Sequence, residues 1–268
     1  MSDTRRTKPA KAAAKRSSAR RSPASGRGNA KPIELYYWPT PNGWKISIML
    51  EECGLPYELK PVNIGVGDQF KRSFLKIAPN NRMPAIVDPK GPGGKPISIF
   101  ESGAILQYLG RKTGKFYPAS ERSRIEVDQW LFWQMAGLGP MAGQAHHFRQ
   151  YAQNKIPYAI KRYTDEVNRL YGVMNKRLKD RDYLAGRYSI ADMACWGWIV
   201  PYKNQGQRLD DFPFLKDWFE RVEARPAVQR GFALGRELRR GTIGDKSKEA
   251  EQARKVLFGQ RAQKQGRG

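Results

Sequence analysis

The stretch Asn80-Asn81-Arg82-Met83-Pro84-Ala85-Ile86-Val87-Asp88 decides how the chain folds. Pro84 stands directly before an apolar run. Because proline lacks a backbone N–H, it belongs at the first residue of a strand or at a sheet edge. A proline that presents its neighbour's backbone to a ligand can do so through a cis bond. We therefore expect a strand that begins after Pro84 and a ligand contact beside it.

A second apolar run, Ile97–Phe100, follows a turn rich in glycine and proline and leads through Glu101-Ser102 into a helical pattern. A helix N-terminus carries free N–H groups and a partial positive charge, which suit a carboxylate. The carboxylate side chain beside it suits an ammonium group. Together the two segments predict a site that grips both ends of a small zwitterionic peptide.

The pattern around these segments predicts the order β-α-β and then β-β-α. A β run at residues 33–38 precedes a helical pattern that ends at Gly54, and a second β run follows at residues 57–62. Such a unit favours parallel pairing of its two strands. Beyond residue 117 apolar residues recur at helical spacing. We expect an α/β domain over residues 33–117 and an all-helical domain over residues 122–235.

Two features of the helical part have a specific local expectation. The segment Gly137-Leu138-Gly139-Pro140-Met141 is expected to interrupt the first long helix. The segment Ser189-Ile190-Ala191-Asp192 has the spacing of a capping box and predicts a helix N-terminus.

The two flanks are basic and polar. The 268-residue chain has a formal net charge of +24, and residues 1–31 hold ten Lys or Arg side chains against one acid. Such a segment cannot bury enough apolar surface to fold, so residues 1–32 are predicted to be a disordered tail and residues 236–268 a second basic tail. A polycation favours nonspecific contact with polyanions. No apolar run approaches the roughly 20 residues of a membrane span.

The sparse cysteines and histidines exclude several kinds of site. Cys53 and Cys195 lie in apolar helical patterns, are expected to be buried, and fit a reducing compartment. His146 and His147 are adjacent and have no carboxylate at a metal-ligand spacing, so no metal is expected.

One strand-to-helix corner and one arginine have two interpretations each. In Thr40-Pro41-Asn42-Gly43, Thr40 or Asn42 donates a hydrogen bond to a thiolate, or the loop is an ordinary helix N-cap. Arg162 either meets a carboxylate across a domain cleft or lies on the surface.

Several of these segments carry a family resemblance. Residues 36–43, 78–86 and 100–105 resemble the thioredoxin-like domain of cytosolic glutathione transferases, and Ser189–Asp192 resembles the capping box of their helical domain. The segments at residues 39–43, 129–134, 137–141, 144–148 and 156–163 are similar to the bacterial nu class, which is known for glutathione-dependent disulfide-bond reductase activity. The resemblance covers roughly residues 33–235, and both tails lie outside it.

The resemblance implies a role for each site residue. Pro84 corresponds to the family's cis-proline, and the Met83 backbone pairs with the cysteinyl backbone of glutathione. Thr40 and Asn42 are the implied catalytic residues beside the thiol. The other implied glutathione-binding residues are Gln69 and Arg82 at the glycyl end, Glu101 and Ser102 at the γ-glutamyl end, and Arg162 at a second glutathione or the partner subunit.

The corner has no cysteine, so the implied chemistry is thiol–disulfide exchange by bound glutathione itself, as cosubstrate. Conjugation of glutathione to electrophiles is the alternative activity, and a non-enzymatic polyanion-associated protein is the alternative class. Tyr36 and Tyr37 are strand residues and are not expected to activate the thiol. The resemblance further implies a homodimer. The sparse cysteines favour a cytoplasmic location.

Overall fold

The computed structural model describes residues 31–239 and 247–259. A four-stranded sheet of order β2-β1-β3-β4 forms the first layer. Strand β1 pairs in parallel with β2 and antiparallel with β3, and β3 pairs antiparallel with β4. This is the β-α-β and β-hairpin arrangement that the sequence predicts. The strands are β1 (Ile33–Tyr37), β2 (Tyr57–Pro61), β3 (Ala85–Asp88) and β4 (Ile97–Phe100).

Three helices accompany the sheet, and the helices of the second part follow from residue 121. Gly54 adopts a left-handed conformation that ends the first helix, as expected of a C-cap. The helices are α1 (Pro41–Cys53), α2 (Arg72–Leu75), α3 (Ser102–Thr113), α4 (Glu121–Trp133), α5 (Gly139–His146), α6 (Pro157–Arg177), α7 (Ile190–Ile199), α8 (Pro213–Glu223), α9 (Pro226–Ala233) and α10 (Lys248–Phe258).

Helix α1 connects the two parts of the fold, because it packs against α3 on one side and against α7 and α9 on the other. The Ser47 hydroxyl donates to the Gly231 carbonyl of α9 at 2.7 Å. A Cβ at Gly231 would lie 2.7 Å from the Ile48 nitrogen, so only glycine permits this approach. One apolar core therefore continues from the sheet into the helical part.

The expected interruption at residues 137–141 is wrong. A π-helical segment, Gln134–Leu138, joins α4 to α5, and the backbone stays helical through Gly139. A π-turn accommodates the missing N–H of Pro140 without ending the helix. A second π-helical segment, His147–Tyr151, extends α5.

The predicted capping box is confirmed. Ser189 caps α7 and the Asp192 carboxylate accepts the Ser189 backbone N–H. The predicted tail over residues 1–32 lies almost wholly outside the described residues. Within the second predicted tail, α10 folds and packs on the protein, with Ala250 and Ala253 buried. No described helix has the length and apolarity needed to cross a membrane.

Candidate active site

The corner between β1 and α1 holds Thr40 as the N-cap of α1. Its Oγ1 accepts a hydrogen bond from the Gly43 N–H at 3.3 Å, and its hydroxyl lies 3.8 Å from the Met83 sulfur, to which it donates. The N-cap interpretation therefore holds for Thr40. A thioether is a weak acceptor, so the same hydroxyl keeps the capacity to donate to a stronger one.

Asn42 is oriented by the helical part of the fold. Its Oδ1 accepts a hydrogen bond from the Trp198 indole N–H of α7 at 3.0 Å. Because the oxygen faces an obligate donor, the side-chain NH₂ of Asn42 is the group left to donate elsewhere. No described residue accepts from it. Trp198 is a site residue that the sequence does not reveal, because nothing in its local pattern connects it to residue 42.

Met83 stands at the start of β3 and outside its ladder. The Met83–Pro84 bond is cis, as the resemblance implies. Pairing with β1 and β4 begins at Ala85, and within the described residues the Met83 N–H and C=O make no backbone hydrogen bond. An extended peptide ligand is a suitable partner for such a pair of backbone groups.

The junction between β4 and α3 has a conformation that favours a ligand site. Glu101 is a non-glycine residue at φ +67°, and its exposed carboxylate accepts from the Asn80 side chain at 3.3 Å. Conformations of this kind cluster at binding sites. Within the described residues no side chain caps α3, and the first N–H to find a backbone acceptor is that of Ile105. The first turn of α3 thus offers its N–H groups to an anion.

Lys45 is a functional candidate that the sequence analysis missed. It lies on α1, is only 1% exposed, and donates to Ser102 Oγ at 3.3 Å and to Gln134 Oε1 at 2.6 Å. Burial lowers the pKa of Lys45 to about 7, against the smaller opposing influence of Cys195 and Glu101. A lysine inside the otherwise buried run of α1 is the sequence signal that marks it.

Gln69 lies in a different setting from the other predicted residues. It is 1% exposed, its amide donates to the Ile64 carbonyl at 3.2 Å, and its Oε1 has no partner among the described residues. Helix α10 covers the same loop, since a Cβ at Gly65 would touch Ala253 at 3.4 Å. No described contact joins Gln69 to the Met83 or Ser102 region.

The two predicted arginines are both exposed. Arg82 precedes Met83 in the chain. Arg162 lies on α6, where its charge helps to lower the pKa of Glu166, after the larger effect of Arg169. The contacts therefore join Thr40 to Met83, and Asn80 to Glu101, whereas no described contact joins Arg162 to them.

Among the described residues, the cysteines and histidines make no hydrogen bond to the site residues named above. Both cysteines are free and buried, and burial raises the pKa of each thiol. Burial lowers the pKa of His146 to about 4, and its ring stacks on Tyr151. In the described part of the chain no group of three His, Cys, Asp or Glu side chains is placed to hold a metal.

The two tyrosines of β1 are likewise occupied elsewhere. The Tyr36 hydroxyl donates to Glu34 at 2.9 Å and the Tyr37 hydroxyl to the Leu234 carbonyl at 3.0 Å. That these tyrosines do not activate the thiol stays a prediction.

Comparison with known proteins gives the same two-part division. Residues 31–111 match the glutathione S-transferase N-terminal domain family and residues 141–226 match the glutathione S-transferase C-terminal domain family. The disulfide-bond oxidoreductase YfcG of Escherichia coli K12 is 51% identical over 215 residues, covering 80% of this chain and 97% of YfcG. The disulfide-bond oxidoreductase YghU of the same organism is 39% identical over 219 residues, covering 76% of this chain and 75% of YghU.

Solved structures resemble the fold over most of its length. A glutathione transferase family member from Pseudomonas fluorescens, crystallised with two glutathione bound, has a TM-score of 0.72 and 44% identity, covering 75% of this chain and 92% of that chain. A Pseudomonas putida glutathione transferase with one glutathione disulfide bound per subunit has a TM-score of 0.73 and 41% identity, covering 76% and 91% of the two chains.

Proposed function

Since this chain belongs to the glutathione S-transferase family, we propose that it is a glutathione-dependent disulfide-bond oxidoreductase in which bound glutathione supplies the reacting thiol. The observation that carries the proposal is the thiol corner. It has Thr40 and Asn42 where a cysteine would make the protein its own redox partner, and both cysteines of the chain are buried with raised pKa values. The relatives YfcG and YghU carry the name disulfide-bond oxidoreductase.

The proposed glutathione site uses the residues predicted from the sequence. The γ-glutamyl carboxylate binds the Ser102 N–H and hydroxyl, and the ammonium group binds Glu101. The Met83 backbone pairs with the cysteinyl residue, while Gln69 and Arg82 serve the glycyl end. The unpaired Met83 backbone and the uncapped first turn of α3 support this assignment. Arg162 is proposed to serve a second glutathione or the partner subunit.

The thiol corner stabilises the thiolate by hydrogen bonding. The Thr40 hydroxyl exchanges its weak acceptor, the Met83 sulfur, for the thiolate, and the NH₂ group of Asn42 donates to the same sulfur. Donation to the charged form lowers the pKa of a thiol and increases the thiolate fraction at neutral pH. The resulting nucleophile lies in a corner without a competing protein thiol.

The reaction consumes two glutathiones per disulfide. The first thiolate attacks one sulfur of the substrate, forming a mixed disulfide and releasing one substrate thiolate, which takes up a proton. The second glutathione thiolate then attacks the glutathione sulfur and releases the other substrate thiol. The two glutathiones are oxidised to glutathione disulfide while the substrate disulfide is reduced by two electrons. The protein itself is left unchanged.

The test compares glutathione-dependent reduction of a model disulfide, 2-hydroxyethyl disulfide, with conjugation of an aryl halide. We expect the disulfide activity to exceed conjugation, to fall at least tenfold in Asn42→Ala, and to persist in the double variant Cys53→Ala/Cys195→Ala. Negligible disulfide reduction with brisk conjugation would instead establish the alternative, a conjugating transferase. Loss of activity in the cysteine-free variant would show that a protein thiol reacts.

We also propose that the protein is a homodimer through α4 and the free edge of β4. Ile125 and Phe132 lie seven residues apart on one face of α4 and are 49% and 62% exposed, and Phe100 lies on β4. Large apolar side chains that stay exposed on one helix face and on an edge strand favour association. Light scattering at micromolar concentration should give twice the chain mass, and Phe132→Glu should give a monomer.

The remaining assignments follow the sequence. We propose a basic N-terminal tail over residues 1–32, a thioredoxin-like glutathione-binding domain over 33–117, a helical domain over 122–235 and a basic tail over 236–268. Two free, buried cysteines support a reducing compartment, the cytoplasm. The excess of positive charge supports nonspecific polyanion contact. Deletion of residues 1–31 should reduce salt-dependent DNA binding, and unchanged binding would refute that role.

A further inference from the structure

The ammonium group of Lys45 is buried among neutral acceptors directly behind the N-terminus of α3. In the described part of the chain it donates to Ser102 Oγ at 3.3 Å, to Gln134 Oε1 at 2.6 Å and to Met135 Sδ at 3.3 Å. None of these atoms is charged. A buried cation is normally paired with an anion, because removing it from water is costly. Among the described residues, the Lys45 ammonium group therefore has no anion within hydrogen-bonding distance.

The partners of Lys45 are supplied by an irregularity in the helical part. Gln134 and Met135 belong to the π-helical segment between α4 and α5, a kind of turn that is frequent at functional sites. The Gln134 side chain is fully buried, and its Nε2 has no partner among the described residues. The fold thus keeps a polar group in the core in order to bind the lysine.

We propose that Lys45 is a positioning residue for the γ-glutamyl carboxylate of glutathione, acting through Ser102 as a buried counter-charge behind the first turn of α3. The inference rests on the glutathione site proposed above. Since Ser102 Oγ accepts from Lys45, its own proton must be donated in another direction. In this structure the proton faces the Met135 sulfur at 3.7 Å, a weak acceptor that a ligand carboxylate readily replaces.

Binding of the carboxylate also changes the protonation of Lys45. The charged or titratable groups that act on the lysine are Cys195 on α7 and Glu101 before α3, and the π-helical segment contributes only neutral side chains. Near pH 7 about half of the free protein carries a neutral Lys45, because burial lowers its pKa to about 7. A bound carboxylate favours the charged form, so the complex takes up a proton.

The experiment is calorimetric titration of the full chain with S-methylglutathione in buffers of different ionisation enthalpy. This probe has the two ends of glutathione but no ionisable thiol, so thiol deprotonation does not contribute. We expect the wild-type protein to take up a proton on binding, to a degree that is small near pH 6 and rises through pH 7 toward pH 8. In Lys45→Met the uptake should vanish and the Kd should rise at least tenfold near pH 6.

Lys112→Met is the matched control, because Lys112 lies on α3 but pairs with Asp88 at 2.8 Å. It should keep the affinity and the proton uptake of the wild type. The kinetic signature of Lys45→Met is a raised KM for glutathione with a smaller change in kcat, because the thiol corner is untouched.

The outcomes separate this inference from the proposed function. Binding of the probe by the wild type without pH-dependent uptake, or equal uptake in Lys45→Met, overturns the role of Lys45 and leaves the glutathione site standing. Absence of binding overturns both. If Lys45→Met does not fold, the pH profile of the wild type decides the question by itself.

Discussion

Replacing Lys45 by methionine should change how the stability of the protein depends on pH. Methionine has nearly the same length but no charge. The lysine pKa is lowered from 10.5 to about 7 in the folded protein. Between these two values the unfolded chain binds more protons than the folded one. Stability therefore rises with pH in this window, and it is lost as the pH falls through the folded pKa.

The size of the effect follows from the shift. Each pH unit above the folded pKa contributes about 1.4 kcal/mol, so between pH 6 and pH 9 Lys45 should add about 3 kcal/mol to the free energy of unfolding. Lys45→Met removes this dependence. It also removes the donor to Ser102 and Gln134, at a pH-independent cost of about 1–3 kcal/mol. The change in pH dependence and the pH-independent loss of stability can therefore be measured separately.

Urea unfolding followed by tryptophan fluorescence at several pH values and one protein concentration measures both quantities. Every other titrating group is common to the two proteins and cancels in the difference. Lys161→Met is a suitable control, because that side chain is 78% exposed and pairs with Asp165 on the surface. Parallel pH profiles for wild type and Lys45→Met, within about 1 kcal/mol, would refute the reasoning.

Three further predictions concern the surroundings of the site. Trp198→Phe keeps an aromatic side chain but removes the indole N–H that donates to Asn42, so kcat with a model disulfide should fall about tenfold. An unchanged kcat would show that this bond does not orient the amide. Asp192→Asn leaves buried N–H groups without their carboxylate acceptor, so the free energy of unfolding measured in urea should fall by about 2–3 kcal/mol. A loss below about 0.5 kcal/mol would contradict this prediction. Removing residues 248–268 takes away the Phe258 ring, which packs on His147. Because burial lowers the pKa of His147, that pKa should rise toward its ordinary value in an NMR titration of the shortened protein. An unchanged pKa would mean that other groups bury the histidine.

Much of the fold can be predicted from the sequence because its signals are local. Pro84 before an apolar run marks the start of β3, Gly54 marks the end of α1, and Ser189 with Asp192 marks the start of α7. Each signal depends on the conformational freedom or hydrogen-bonding capacity of residues a few positions apart. The helical pattern misleads where Pro140 lies beside a π-helical segment, since a proline does not reveal whether a helix ends or widens. The basic composition after residue 236 likewise does not reveal that α10 packs on the protein.

The candidate site likewise contains residues that local sequence signals reveal and contacts that only tertiary packing creates. Thr40, Met83, Glu101 and Ser102 are recognisable because each lies at the end of a strand or the start of a helix, where backbone groups are free. The orientation of Asn42 and the partners of Lys45 depend instead on residues that are distant in the sequence. Trp198 is 156 residues from Asn42, and Gln134 is 89 residues from Lys45. Only the packing of α1 against the helical part brings these pairs together.

The sequence by itself therefore determined the order of the elements and the strand and helix ends at which backbone groups stay free, because hydrophobic period, turn residues and caps act over short distances. The tertiary structure alone decided which charge lies behind Ser102 and which donor holds Asn42. Burial changes the chemistry of a side chain through everything around it. Lysine is usually found on the protein surface, but burial lowers the pKa of Lys45 to about 7.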